Sequence, residues 1–145
     1  MLIGWTELAA VALGSAAGGM ARYWVTALVS RVCTSAFPWG TLVVNVSGAA
    51  LAGLILGLLT IKTPIIASQT AVALLLIGFC GSYTTVSSFA LQSFVLFGDG
   101  RGRSMAAIGN IIGSFVLSLL AAYLAIYIIA ARSELGPWQI AGGLW

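Results

Sequence analysis

The feature that most limits what this chain can become is an apolar run over residues 65–97, interrupted near its middle by GFCGSYTTVSSF at residues 78–89. A straight helix over that run would measure roughly 50 Å, against about 30 Å for the hydrocarbon core of a bilayer. It must tilt, bend or break. Gly78 and Gly81, followed by Thr84, Thr85, Ser87 and Ser88, put flexible backbone and hydroxyls where a lipid-facing helix carries Leu, Ile and Val. The stretch reads as a discontinuous membrane helix, its break falling within residues 78–89. Irregular backbone at that depth is tolerated only where it is buried in protein or lines a wet cavity, so the break marks a site.

Composition agrees with a membrane solvent. Of 145 residues 61% are hydrophobic and 6% charged, with mean hydropathy +1.11, a surface no soluble domain of this size keeps in water. Apart from Arg22, the charges behind the net +3 fall at span ends and in loops, where they flank a membrane and carry no message about nucleic acid. The opening MLIGWTELAA has no Lys or Arg, and the run after it is too long for a signal-peptide core, so it is expected to remain as a first span. Cys33 near a span end and Cys80 inside the break lie at different depths and read as free thiols. With no His in the chain, no metal-ligand cluster forms from such residues.

Spanning segments are predicted at about residues 8–32, 41–61, 65–97 and 105–131, giving an all-α protein of four transmembrane helices with both termini on one side. The connectors RVCTSAFPW, KTP and GDGRGRS are short and punctuated by Pro or Gly. Residues 1–132 form one membrane domain. Residues 133–145, glycine-rich with two tryptophans, form a tail that is an interfacial anchor, a disordered end or an appended remnant. Counting basic residues per side sets Lys62 and Arg132 against Arg31, Arg101 and Arg103, a bias of one charge. So even a balance permits insertion in both orientations, and a pair of opposite copies would then make an antiparallel dimer; the alternative is one orientation set by Arg101 and Arg103. Gly14 with Gly18, Gly53 with Gly57 and Gly109 with Gly113 place flat stripes on spans one, two and four, serving either packing within the chain or association with a second copy.

Polar residues inside the spans fall into helical rows. Asn110, Ser114 and Ser118 share one face of span four, Thr41 and Asn45 one face of span two, and Thr85, Ser88 and Gln92 follow the break with Phe89 beside them. A lone Ser or Thr is commonly helix-packing glue, but an amide in hydrocarbon costs several kcal/mol unless bonded, so Asn45 and Asn110 must face protein or water. Hydroxyls, amide NH₂ groups and the positive edges of Phe and Tyr rings together solvate an anion. Arg22 adds a fixed positive charge, placed in a path, snorkelling, or bonded to a carbonyl. Glu7, Asp99 and Glu134 all sit at span ends or outside, which removes the carboxylate a proton-coupled exporter needs. No nucleophile has a base beside it, so no enzyme is expected.

The segments GSAAGGMARY, GTLVVN at residues 40–45 followed by Gly48, GFCGSYTT at residues 78–85 and IGS at residues 112–114 resemble the Fluc/CrcB fluoride channels across all four spans. The resemblance implies a small antiparallel, dual-topology homodimer in the inner or plasma membrane. It would export fluoride passively, protect the cell from fluoride, and hold a structural sodium ion at the dimer centre. By the same resemblance Asn45, Thr41, Phe89 and Ser114 belong to the fluoride path, Gly81 and Thr84 offer backbone carbonyls to sodium, and Arg22 matches the arginine of the first span. Ser88, Asn110 and Tyr83 are added to the path as donors.

Two departures stand out. TTVSSF puts Val86 where the family carries its first pore phenylalanine, and Gln92 stands where many relatives have glutamate. Tyr83, Phe79, a partner's side chain or the Asn110 amide would then compensate. The alternatives to a homodimeric channel are a non-conducting subunit of a heterodimer and a small proton-coupled exporter using Glu7.

Overall fold

The computed structural model describes residues 4–35, 37–61, 68–98 and 101–132, and every element among them is helical. Helix α1 is Trp5–Val32 and α2 is Trp39–Thr60. The third stretch is composite: α3 Gln69–Val72, a π-helical segment π1 Ala73–Cys80, α4 Gly81–Tyr83 and, after two non-helical residues, α5 Val86–Gly98. Helix α6 is Arg101–Arg132. The C-terminal tail and Lys62 of the second connector lie outside the described residues.

Local signals account for several of the helix ends. Pro38, which lacks a donor N–H, sits just ahead of α2. Ser68 caps α3, its Oγ accepting from the Ala71 N–H at 3.1 Å. Glu7 in the first turn of α1 and Arg31 in its last lie at the ends of the helix dipole that favour them. Trp39–Leu59, Gln69–Gly98 and Arg103–Arg132 are long and apolar enough to cross a membrane. At 28 residues α1 is also long enough, but its Ala, Gly and Arg22 content leaves it less apolar.

Glycine decides which helices touch. A Cβ on Gly14 would run into the Leu74 carbonyl oxygen and one on Gly18 into that of Phe79, while at Gly78 it would meet the Val11 oxygen at 2.8 Å. Helix α1 and π1 therefore meet backbone to backbone. At Gly53 the obstacle is the Ala122 carbonyl, and at Gly57 it is the Ile129 side chain at 3.0 Å, which seats α2 on α6. Two of the three stripes are thus packing within the chain, whereas Gly109 and Gly113 have no such atom within 4 Å among the described residues. The inner face of α6 is narrow, with Ala107, Asn110, Ser114, Ala125 and Ala130 buried; around it Met105, Ile112, Phe115, Leu119 and Tyr123 point outward. Apolar side chains on every remaining side suit a helix that meets lipid or another chain.

Within residues 78–89 the break occupies two residues. The chain stays helical through Tyr83, and only Thr84 and Thr85 leave the helix, Thr84 at φ −77° and ψ 159°. The reason is that Gly78 is occupied by close approach to α1 rather than by unwinding, and Gly81 keeps helical angles of φ −63° and ψ −34°. Segment π1 is a second irregularity. Its i→i+5 turns occur in ALLLIGFC, which has no proline, so tertiary packing against α1 is what accompanies the wide turns.

Candidate functional site

Ending a helix inside a membrane leaves backbone groups without partners, and the chain satisfies them one by one. The Thr84 N–H and hydroxyl both donate back to the Cys80 carbonyl, at 3.1 and 3.0 Å. Across on α2, Asn45 meets the peptide groups of Thr85 like a second strand: its Nδ2 donates to the Thr85 carbonyl at 3.1 Å, and its Oδ1 accepts the Thr85 N–H at 2.8 Å. A primary amide is the side chain that answers one donor and one acceptor at once. From α1, Arg22 Nη1 donates to the Thr84 carbonyl at 3.4 Å. Helix α5 restarts at once because Thr85 caps it, accepting the Ser88 N–H at 3.2 Å and donating to the Ser88 Oγ at 3.1 Å.

The turn before the break is fixed as tightly. Tyr83 is buried, its hydroxyl 2.9 Å from Ser47 Oγ, and its ring stacks on Phe79 with centroids 5.7 Å apart. A Cβ at Gly48 would collide with the Thr84 methyl and reach the Tyr83 ring at 3.0 Å, so α2 presses on the break where the glycine allows it.

Hollows lie around this knot. A cavity of about 380 Å³ is lined by Arg22, Thr26, Thr41, Thr85, Ser88 and Gln92. Thr26, Thr41 and Gln92 are shared with an outer cavity of about 630 Å³ that extends past Ser30 and Thr34 to Arg103. Hydroxyls and two arginines thus mark a route from one span end to the break. A separate, nearly apolar groove of about 460 Å³ runs past Asn45, Thr84, Phe89, Ser114 and Ser118. The two hydroxyl-lined cavities can offer donors to an anion, whereas the groove is walled mainly by hydrocarbon and ring.

Of the residues expected to act together, Thr41, Ser88 and Arg22 share the inner cavity, while Asn45, Phe89 and Ser114 share the groove. Tyr83 and Asn110 line neither. Asn110 is fully buried; it donates to Ser93 Oγ at 3.0 Å and accepts from Ser114 Oγ at 3.4 Å, tying α5 to α6. Ser47, Ser93 and Thr26 take part without having been singled out from the sequence, and Arg103 was read there only as a charge at a span end. Ser47 lies two residues past Asn45, and Ser93 next to Gln92, but neither position belongs to a polar row. Gln92 Oε1 is buried without a hydrogen-bond partner among the described residues.

The resemblance also implies a sodium ion on the carbonyls of Gly81 and Thr84. The donor set fits it: Gly81 carries one of the last carbonyls of a helix that stops at Tyr83 and Thr84 the carbonyl just past its end, neutral oxygens near the negative end of a dipole, which suit a hard cation. The backbone at Gly81 is open: beyond its own stretch of helix, no heavy atom of the described residues lies within 4 Å of where a Cβ would stand. The Thr84 oxygen already accepts from Arg22 and has a second lone pair to give.

Residues 9–126 match the sequence profile described as CrcB-like protein, Camphor Resistance (CrcB). The fluoride-specific ion channel FluC of Paramagnetospirillum magneticum is 41% identical over 116 residues, covering 80% of this chain and 89% of that one. FluC 2 of Rhodopseudomonas palustris is 45% identical over 122 residues, 84% of this chain and 90% of its own. FluC of Methylocella silvestris is 38% identical over 125 residues, with 86% and 94% covered.

Proposed function

The chain belongs to the CrcB family, whose curated relatives are fluoride-specific ion channels, and from that premise we infer how its residues work. It is a multi-pass membrane protein and a fluoride-specific channel, not an enzyme. Our reading is that all four helices cross the bilayer and that two copies lie antiparallel. Fluoride leaves the cell passively, down its electrochemical gradient, which protects the cell from the ion. The outward apolar side chains of α6 and its open Gly109 and Gly113 support a second copy.

The observation that carries the mechanism is the clamped break: Asn45 on both peptide groups of Thr85, Arg22 on the Thr84 carbonyl. Fluoride is small and strongly hydrated, so only a succession of donors replaces its water. Arg103, Thr26, Thr41, Ser88 and Arg22 would draw it inward. Asn45, with one amide hydrogen beyond its bond to Thr85, would work with Phe89 and Ser114 in the groove. Positive charge and hydroxyls attract any small anion, whereas a constricted passage penalises the larger halides.

The carbonyls of Gly81 and Thr84, doubled by a second copy, would hold the sodium ion, and bound there it supplies positive charge that steadies the two breaks against each other. Purified protein in liposomes should release fluoride and little chloride under a potassium diffusion potential. Equal release of both would contradict a selective channel. No release from the protein alone, restored by mixing with a relative carrying both pore phenylalanines, would make it a heterodimer subunit instead.

A further inference from the structure

The apolar groove raises a question that the hydroxyl-lined cavities do not. Asn45, Thr84, Ser114 and Ser118 are its polar groups, and the rest of its wall is hydrocarbon and aromatic ring. An anion crossing such a place needs the positive edges of aromatic rings. Val86, on the first turn of α5 and 78% exposed, lines the groove but offers only methyl groups. Phe89 is one ring. The rings nearest in sequence are engaged elsewhere: Phe79 and Tyr83 stack on each other, the Tyr83 hydroxyl meets Ser47, and neither lines the groove.

A different ring does line it. Phe115 follows Ser114 on α6, shares the groove with Val86 and Phe89, and is 66% exposed, so its ring is not buried in the helix packing. We propose that Phe115 supplies the ring edge that Val86 lacks and forms, with Phe89, the aromatic pair that receives fluoride in this groove. The assignment rests on the fluoride-channel reading. It makes the selectivity element of this chain an α5–α6 pair instead of two residues on α5.

The test replaces the electrostatics of the ring while keeping its shape. Pentafluorophenylalanine at position 115 reverses the ring quadrupole, so its edge repels an anion; Phe115→Leu keeps apolar bulk and removes the edge. In liposome efflux both are expected to lower fluoride release about two- to tenfold, the scale of ring-edge interactions. Val86→Phe added to Phe115→Leu should restore release. Should a variant misassemble, the fluorinated ring, nearly isosteric, is read alongside size-exclusion elution and melting temperature matched to the wild type. Wild-type vesicles that release fluoride while the fluorinated variant releases it equally fast overturn the role of Phe115 alone. Wild-type vesicles that release none overturn the channel reading, and this assignment with it.

Discussion

Asn45 is the residue at which stability and conduction should be lost together. Replacing it with Ala strips partners from both the N–H and the C=O of Thr85, bonds of 2.8 and 3.1 Å. An orphaned buried group costs about 1–3 kcal/mol, so the pair is worth roughly 2–6 kcal/mol. Thr85 also lines the inner cavity, where water can re-solvate the carbonyl, which points to the lower half of that range. Asn45→Asp keeps the acceptor for the Thr85 N–H but loses the donor and sets a carboxylate against a carbonyl; it should unfold less readily than Ala yet conduct as poorly, because the negative charge also repels the ion. The assay pairs thermal unfolding in detergent with fluoride efflux from liposomes. The Ala variant should melt lower and lose about tenfold or more in efflux. An Ala variant that melts like the wild type and conducts at full rate would refute the clamp, and undiminished efflux in the Asp variant would place Asn45 off the path.

Two further outcomes separate packing from permeation. Gly18→Ala puts a methyl into the Phe79 carbonyl and should destabilise the α1–π1 contact, whereas Gly109→Ala, on an open face, should leave the melting temperature of the single chain unchanged; equal effects would contradict the assignment of the stripes. Tyr83→Phe removes one hydrogen bond to Ser47, which should cost about 0.5–1.5 kcal/mol in detergent unfolding while efflux stays within twofold, and a collapse of efflux would put the Tyr83 hydroxyl in the path.

Much of this architecture was legible in the residues. The predicted spans fall within a few residues of α1, α2, the composite third stretch and α6, since apolar runs of that length have few other solutions. The break was legible as a fact but not as a place. Gly78 and Gly81 read as flexibility, yet Gly78 is used for contact, and it is the two threonines, held by Asn45, that unwind. The demand that Asn45 and Asn110 be bonded followed from the cost of an amide in hydrocarbon. Which groups would bond them did not, because Thr85 is 40 residues from Asn45 and Ser93 is 17 from Asn110, and only packing brings them together. The wide turns of ALLLIGFC left no trace in composition, as they arise where α1 lies against them.

A reversal potential reads the ion selectivity of the pore. In a planar bilayer holding the purified protein between solutions of unequal fluoride and equal chloride, the current should reverse at the fluoride equilibrium potential. Reversal at zero, or a shift that follows chloride when its gradient is imposed instead, would contradict a fluoride-selective path through the clamped break.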